Sequence, residues 1–565
     1  MPTQPGIINT AARSGLRVSI RRYPRLLITL VIAVLAWPGL SSIPPLDRDE
    51  PQFAQPARQM LESGDFIDIR FQSAPFEEKP ILTFWLQAAS AAIFGGRQHN
   101  RIAAYRLPSV LGTWLAALLT YELGILLFSQ PQATAGAVLL ASLPLVQSQA
   151  HQARADALLL AAMMGAVVPL AGAFMASQRQ RAPGPHQVAL FWFSVAAGIL
   201  IKGPIVPVLI ALSAAALSWA RRDGKWLGLL YRWWAIPLSL VILLPWPLAM
   251  LHASGASFFV HAWRGDILPK LVSGQESHGA PPLAYALSAP LTLWPAALLL
   301  PAAMEFAWRR RSELPIVLCL ATILPGWLLF ELAPTKLPHY ILPFVPMLSL
   351  LAVTSADRFG ASGPSRLSSR IGALLFAISG LLIAAAMAAA LVRLGSGLDL
   401  TAAAGTVALV TTSVGVAAGT WMGHLRYLGA AAIASGMLAS LLIFGLTLPR
   451  LEQLWVAERA ASVASRVSEQ LPVLIVGYRE PSLVFLLGTS TRFVDEKSAV
   501  AALQRHESAV AIVASNRIAE LSHLAQRSAV HVQLLATIGG IDPVHGRPVQ
   551  LVVVMRVGER LGTPG

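Results

Sequence analysis

The chain has 565 residues, of which 55% are hydrophobic and only 13% are charged. Apolar runs of spanning length recur from Leu27 to Leu448, and about 20 such residues cross the roughly 30 Å hydrocarbon core of a bilayer. The composition therefore excludes a soluble globular protein and predicts a mainly α-helical, polytopic membrane protein. The net charge of +15 does not indicate a nucleic-acid partner, because the arginines lie in short segments between apolar runs. The one cysteine, Cys319, excludes a disulfide framework.

Arginines from Arg13 to Arg25 precede the first apolar run. A signal peptide would end in a small-residue cleavage site, whereas Pro44-Pro45 and an acidic stretch follow this run. We therefore expect residues 1–25 to be a cytoplasmic segment and the first run to remain as a membrane helix.

Residues 46–80, called the acidic segment below, are polar although they follow the first apolar run directly. A simple connection between membrane helices needs only a few residues, and ionisable groups at a bilayer surface are candidate site residues. Asp49 and Glu50 are adjacent, so on a helix they point about 100° apart, and one is expected to face a site while the other makes a structural contact. The alternative is a solvated loop. The charged residues of interest are Asp47, Asp49, Glu50, Glu77, Glu78 and Lys79.

The arginine-rich loops set the orientation, because such loops remain in the cytoplasm. They share one side with the N-terminus only if one early run does not cross, and the run 80–95 is the natural candidate. Its roughly sixteen residues reach about 24 Å, which is short for a span, so we expect it along the outer interface. About thirteen crossings are then predicted: residues 26–44, 107–128, 131–149, 156–176, 187–201, 203–219, 232–251, 283–306, 314–332, 338–355, 371–392, 402–421 and 427–448.

Several further charged residues then lie on the outer face. Asp156 opens an apolar helix, where it serves a site or complements the helix dipole. Lys202 interrupts an apolar run at a Gly-Pro break, so it faces an anion or extends to the interface. Lys336 lies beside His339 and Tyr340, where the alternative to a site is an interfacial anchor.

After Pro449 the pattern changes to short apolar runs alternating with helical periodicity, which predicts a small α/β domain over residues 449–565. Thirteen crossings would place it outside the cell membrane. Strands are expected at 471–478, 491–495, 509–515, 532–537 and 548–556, with helices at 480–488, 497–507 and 517–527.

Cations and carboxylates gathered on one membrane face suit a lipid-linked anion. Lysines and arginines would bind its phosphate, and a carboxylate would act as general base. A proton-coupled transporter would instead bury its carboxylates near the middle of the bilayer, in broken helices.

The motifs resemble those of bacterial GT-C membrane glycosyltransferases, close to the aminoarabinose transferases that modify lipid A and more distantly similar to protein O-mannosyltransferases. The resemblance implies a GT-C membrane domain over residues 26–448, with an outer catalytic loop at 45–106. The matching stretches are D-E-P-Q-F-A-Q-P-A-R-Q-M-L-E-S-G-D-F (49–66), F-E-E-K-P-I-L-T-F-W (76–85), A-R-A-D-A-L-L (153–159), I-K-G-P (201–204), L-P-W-P-L-A-M (244–250), S-H-G-A-P-P-L-A-Y (277–285), T-K-L-P-H-Y-I-L-P (335–343) and G-Y-R-E-P-S-L-V-F-L-L-G-T (477–489).

The resemblance also implies roles for individual residues. Asp49 matches the catalytic aspartate, and Glu78-Lys79 match an E-K-P motif whose lysine helps at the lipid phosphate and whose glutamate meets a metal. Asp156 matches an acidic residue near that glutamate. The expected donor-phosphate residues are Lys202, Lys336 and Tyr340. The chain departs from the transferases at Gln52, where they carry an arginine, so the missing contact is expected from Arg48, Arg58 or Arg264.

The sequence thus predicts an inverting glycosyltransferase of a bacterial inner membrane. Its partners are expected to be a polyprenyl-phosphate sugar donor, a lipid A or lipopolysaccharide-type acceptor and the membrane lipids. The only cofactor considered is a divalent metal ion at Glu78 and Asp156, although two carboxylates make an incomplete ligand set. The alternatives are a protein O-glycosyltransferase of the same fold and a lipid-linked substrate flippase.

Overall fold

The computed structural model describes residues 22–46, 49–76, 78–179, 182–255, 257–261, 279–358, 365–423, 428–467 and 472–557. Most of these residues are helical. The α-helices in chain order are α1 Pro24–Ala36, α2 Asp49–Ser63, α3 Leu82–Phe94, α4 Ile102–Leu127, α5 Gln130–Ser142, α6 Pro144–Ala150, α7 Asp156–Arg179, α8 Pro185–Lys202, α9 Ile205–Arg221, α10 Ala235–Leu243, α11 Pro245–Ser254, α12 Ser257–His261, α13 Ala284–Thr292, α14 Leu300–Arg309, α15 Leu314–Leu332, α16 Val345–Arg358, α17 Arg366–Leu394, α18 Leu400–Trp421, α19 Leu428–Ser440, α20 Val456–Ser465, α21 Pro481–Leu487, α22 Glu496–Gln504 and α23 Ile518–Arg527. The strands are β1 Arg70–Phe71, β2 Ala74–Pro75, β3 Leu474–Val476, β4 Arg492–Phe493, β5 Val510–Ala514, β6 Val532–Ile541 and β7 Pro548–Arg556.

The chain is a multi-span helical membrane protein. Within the described residues, nine helical stretches are long and apolar enough to cross a bilayer. Three shorter apolar helices, α1, α3 and α9, accompany them. The count of about thirteen crossings and the interfacial position of residues 80–95 remain predictions.

Several of the predicted crossings are divided into shorter helices, among them 131–149 and 283–306. The predicted run 131–149 divides into α5 and α6 at Leu143, whose backbone is extended (ψ 123°). Pro144 explains the break, because a residue before proline is disfavoured in the α conformation and proline opens helices well. The run 283–306 likewise divides into α13, a short 3-10 turn Ala296–Leu298, and α14.

Helix α7 lies at the centre of the helical bundle, since 83% of its apolar window is buried. It packs closely against α4: a Cβ added at Gly112 would lie only 2.7 Å from the backbone carbonyl carbon of Ala157. Small residues allow such close approach between membrane helices. This contact fixes the N-terminal end of α7, where Asp156 lies.

The described residues of the acidic segment are folded rather than a solvated loop. It forms α2, the hairpin β1–β2 and the approach to α3. Phe53, Phe76 and Phe84 are at most 9% exposed, and Phe53 stacks on Phe84 with ring centroids 5.6 Å apart. Aromatic burial of this kind anchors α2 on α3.

The C-terminal residues form a five-stranded sheet in the order β4-β3-β5-β7-β6. Strand β3 is parallel to β4 and β5, whereas β7 is antiparallel to β5 and β6. The predicted strands and helices of this region are confirmed, although β3 and β4 are shorter than expected. Helix α20 was not predicted, and the domain boundary at residue 449 remains a prediction.

Candidate functional site

A buried ion pair supports the start of the acidic segment. Arg106 donates from Nε to Glu50 Oε1 at 2.7 Å and from Nη2 to Glu50 Oε2 at 2.8 Å, and neither residue is exposed. The remaining guanidinium donors reach the carbonyls of Leu40 and Ile43. The backbone N–H of Ala153 donates to the same carboxylate at 2.8 Å. Glu50 is therefore the member of the Asp49-Glu50 pair that makes a structural contact, as the angular argument expected.

Asp49 is the first residue of α2 and its side chain is 55% exposed. Its Oδ2 lies 3.1 Å from Arg154 Nη1. Because Glu50 holds the same turn from the buried side, Asp49 is presented on the outside of α2. The carboxylate is thus anchored at one atom while remaining accessible to a substrate.

Asp156 is the centre of a cluster of cationic groups. Lys202 Nζ donates to Asp156 Oδ1 at 2.5 Å. Arg154 Nε and His339 Nε2 lie 3.7 Å and 3.8 Å from Oδ2 of the same carboxylate. Arg154 therefore lies between Asp49 and Asp156, which gives an alternating line of charges from the exposed aspartate to Lys202.

The local backbone explains why Lys202 points to this cluster. Lys202 is the last residue of α8, where a cation complements the helix dipole, and the helix ends at Gly203 with φ of +68°. Only glycine adopts this conformation readily, and Pro204 then directs the chain into α9. Asp156 opens α7 at the opposite kind of helix end, where its charge complements the helix dipole. Its role as a site residue remains a prediction.

A cavity of about 360 Å³ adjoins this cluster. Its lining has a polar part and an apolar part, which is the combination that an amphiphilic ligand requires. The polar part, called the polar end below, consists of Glu78, Lys79, Asp156, Lys202, His339 and Tyr340. The apolar part includes Leu159, Ile205, Val208, Leu329, Phe330 and Leu342.

The predicted residues at the polar end take different positions. Lys79 is mostly buried, and its Nζ lies 3.2 Å from the carbonyl of Glu78. The Glu78 side chain is 58% exposed at the cavity rim. Lys202 Nζ lies over the ring of Tyr340, 5.4 Å from its centroid, a cation–π geometry that orients both groups.

Two predicted phosphate-binding residues make other contacts. Lys336 donates to the carbonyls of Ala280 and Ala333 at 3.0 and 2.6 Å, so it ties two backbone segments together near the cavity rim. Arg58 donates to the carbonyl of Phe485 at 2.6 Å and to Glu62 at 2.7 Å, so the structure assigns it to a contact with the C-terminal region rather than to the cavity. Arg48 and Arg264 lie outside the described residues.

The geometry disfavours a metal ion at Glu78 and Asp156. The Asp156 carboxylate already faces Lys202 and Arg154, and the positive charges of these two groups would repel a metal ion. Among the described residues, one group of three has metal-ligand spacing: Glu480, Asp542 and His545 in the C-terminal region. Within it, His545 Nδ1 and Asp542 Oδ2 are 2.8 Å apart.

Sequence reasoning missed Arg106 altogether and gave no role to Arg154 or His339. The available signal for Arg106 was an arginine one turn inside an apolar helix, which is costly without a partner. The apolar lining of the cavity could not be read from the sequence, because its members come from five separated segments.

Fold and site together define a polytopic helical membrane protein with an amphiphilic cavity whose polar end carries lysines and an aspartate. Its fold is that of a solved structure of ArnT from Cupriavidus metallidurans bound to undecaprenyl phosphate, with a TM-score of 0.71, 19% sequence identity and coverage of 96% of this chain and 99% of that chain. The resemblance to GT-C glycosyltransferases is thereby confirmed at the level of the fold.

Two sequence comparisons agree. Residues 78–248 match the family model described as dolichyl-phosphate-mannose-protein mannosyltransferase. The chain is 31% identical over 308 residues to an undecaprenyl phosphate-alpha-4-amino-4-deoxy-L-arabinose arabinosyl transferase from Pseudomonas aeruginosa (strain LESB58), a match that covers 54% of each protein. A relative of the same kind from Pseudomonas fluorescens (strain Pf0-1) is 30% identical over 321 residues, covering 55% of each. The matches thus span about half the length of these relatives.

Proposed function

We propose that this protein is a membrane glycosyltransferase that moves a sugar from a polyprenyl-phosphate donor to a lipid A or lipopolysaccharide-type acceptor, with inversion at the sugar carbon. The observation that carries the proposal is the cavity, in which an apolar lining leads to Lys79 and Lys202. The relatives named as aminoarabinose transferases support an aminopentose as the first sugar to test.

The donor would place its isoprenoid chain along the apolar lining and its phosphate at the polar end. Lysine ammonium groups there would neutralise the negative charge that develops on the departing phosphate, which is how preorganised cations lower such barriers. Lys79 and Lys202 line the cavity directly, so they are the proposed phosphate ligands. Tyr340 would orient Lys202 and bound phosphate through its ring and hydroxyl.

Asp49 would act on the acceptor. Its carboxylate is exposed and held by Arg154, so it is placed to accept the acceptor's proton or to orient an acceptor that is already ionised. The new bond forms between the acceptor oxygen and the anomeric carbon while the bond from that carbon to the phosphate oxygen breaks. The lipid phosphate is the leaving group.

The remaining predicted residues take narrower roles in the proposal. Lys336, bonded to two carbonyls, would shape the cavity rim, and binding of the phosphate itself would require it to leave them. Arg264 remains a proposed phosphate contact outside the described residues. The proposed setting is the inner membrane, with the acidic segment and the C-terminal domain on the periplasmic side.

The test uses purified full-length protein in lipid nanodiscs with undecaprenyl-phosphate aminoarabinose and lipid A. Transfer detected by mass spectrometry of the lipid A supports the proposal, and Asp49→Ala should abolish it while leaving the amount of folded protein unchanged. Movement of donor across the bilayer without a new glycosidic bond would identify a flippase instead. Transfer to a protein hydroxyl, but not to lipid A, would identify a protein O-glycosyltransferase.

A further inference from the structure

The C-terminal region contacts the acidic segment through one compact set of hydrogen bonds around Thr489. Gln55 of α2 donates to Thr489 Oγ1 at 2.7 Å. Thr489 Oγ1 in turn donates to Glu62 Oε2 at 2.5 Å. A single hydroxyl thus joins two turns of α2 to the loop after α21.

Arg58 makes the second contact of this set. It lies between Gln55 and Glu62 on α2, is only 7% exposed, and donates to the Phe485 carbonyl in the last turn of α21. Such carbonyls lack a partner within their own helix, and an arginine there also complements the helix dipole. Glu62 holds the guanidinium from the other side through Nε at 2.7 Å.

Two neighbouring contacts extend the same surface. Gln72, in the turn of the β1–β2 hairpin, donates from its side chain to the carbonyls of Thr489 and Thr491. The ring of Phe485 packs edge-on against Tyr105 of α4 at 5.2 Å. The C-terminal region therefore contacts α2, the hairpin and α4 together.

Helix α2 has a proline in its interior, so it relies in part on contacts from neighbouring elements. Pro56 cannot donate the intrahelical hydrogen bond to the carbonyl of Gln52, four residues earlier, whereas Pro51 lies in the first turn, where an N–H would have no intrahelical partner in any case. The Glu50–Arg106 pair holds the first turn, and the contacts of Gln55 and Arg58 hold the turns that follow. Gln55 lies six residues after Asp49, about 9 Å along the helix axis, so the Thr489 contact lies close to the exposed carboxylate.

We propose that docking of the C-terminal α/β region positions the helix that carries Asp49, and that Arg58 and Thr489 are the positioning residues. The kinetic part of this inference rests on the proposed function, whereas the docking itself does not. Loss of the docking contact loosens α2, which lowers the fraction of molecules with Asp49 in place and leaves the donor cavity intact.

The chain offers a matched pair of threonines for the test. Thr489→Val removes the hydroxyl that joins Gln55 and Glu62. Thr491→Val makes the same change two residues away, where the hydroxyl is buried and has no hydrogen-bond partner among the described residues. Arg58→Met removes both guanidinium contacts, whereas Arg58→Lys keeps the charge and can reach one of the two acceptors.

Hydrogen–deuterium exchange of peptides covering residues 49–63 is measured on the full chain in nanodiscs. Thr489→Val and Arg58→Met are expected to speed exchange roughly fivefold for each hydrogen bond lost, with Arg58→Lys intermediate and Thr491→Val like wild type. Unchanged exchange in both Thr489→Val and Arg58→Met, or an equal effect of the two threonine variants, overturns the inference. This measurement tests the docking contact even if the wild-type protein transfers no sugar. Absence of transfer would contradict the proposed function and leave the docking inference standing.

Steady-state kinetics of the same variants provide the second measurement. Arg58→Met should lower kcat about tenfold or more per folded molecule while the donor KM stays within about twofold, because Asp49 and not the cavity is disturbed. Arg58→Lys should recover part of kcat. A merely structural role would instead reduce the yield of folded protein at unchanged kcat, and that outcome contradicts the assignment.

Discussion

The ammonium of Lys202 and the carboxylate of Asp156 form a 2.5 Å ion pair at the polar end of the cavity, although 46 residues separate them in the chain. Both side chains are largely buried, at 15% and 6% exposed. The pair joins the C-terminal end of α8 to the N-terminal end of α7. It therefore links two helices of the bundle directly beside the cavity.

The first prediction concerns the coupling of these two residues. Lys202→Met and Asp156→Asn should each destabilise the protein, because each leaves a buried charge without its partner. The double variant should lose less unfolding free energy than the two single variants lose in sum. The difference, which is the coupling energy, should be about 1–3 kcal/mol. Thermal unfolding of the four proteins in one detergent measures this, and additive losses would contradict the pairing.

The same variants separate the roles of the two groups in donor binding. Lys202→Met should raise the donor KM about tenfold or more, since a charged hydrogen bond to phosphate contributes about 1.5–3 kcal/mol. Asp156→Asn leaves the Lys202 ammonium in place but removes the carboxylate that fixes it, so a smaller rise in the donor KM is expected. A Lys202→Met enzyme with a wild-type KM would remove Lys202 from the phosphate site.

The second prediction concerns the buried pair of Glu50 and Arg106. Glu50→Gln should cost about 3 kcal/mol of stability, because the guanidinium remains buried with its charge uncompensated. Glu122→Gln is the matched control, since Glu122 pairs with Arg25 where both side chains are partly exposed, and such pairs contribute about 1 kcal/mol or less. Equal losses of unfolding free energy in the two variants would show that the buried Glu50–Arg106 pair contributes no more to stability than an exposed pair.

The sequence singled out several charged residues for a structural reason: a charged group inside an apolar run is costly unless it has a partner. This logic found Asp156 and Lys202, and it stated that Asp49 and Glu50 would diverge. It could not say which carboxylate turns inward, since that depends on Arg106 approaching from α4. Lys336 and Arg58 were predicted to bind phosphate, but both donate to backbone carbonyls instead. The fold brings these carbonyls close, and a sequence motif contains no information about them.

The C-terminal region was predicted more completely. Its strands β3, β5 and β7 are apolar runs rich in β-branched residues, a local pattern that the fold does not overrule. Helix α20 was missed because its alanine-rich sequence, V-A-E-R-A-A-S-V-A-S, carries a weaker apolar signal than the strands beside it. The docking of this region on α2 depends on single side chains such as Thr489, which sequence patterns do not single out.

The third prediction concerns the exposed carboxylate of Asp49. Asp49→Asn keeps the shape of the side chain but removes its charge and basicity, so kcat should fall on the order of 100-fold or more, with the donor KM unchanged. Asp68→Asn is the control, because Asp68 lies in the same acidic segment and pairs with the half-exposed Arg70. A rise in the donor KM with kcat unchanged would assign Asp49 to donor binding instead.

The fourth prediction tests the apolar part of the cavity. Val208 lines the cavity and is 41% exposed, so Val208→Trp can fill the space without displacing packed neighbours. The larger ring would occupy the volume assigned to the isoprenoid chain, and the donor KM should rise about tenfold, since several buried methylene groups contribute about 0.8 kcal/mol each.

Val241→Trp is the matched control for this change, because Val241 is 70% exposed and is not part of the cavity lining. A donor with a short isoprenoid chain should discriminate less between wild type and Val208→Trp than the full-length donor does, since it loses less contact with the apolar lining. Both enzymes are assayed with both donors at matched folded concentration. If Val208→Trp binds the long-chain donor as well as Val241→Trp does, the isoprenoid does not run along this cavity, and the donor must approach the lysines from another side.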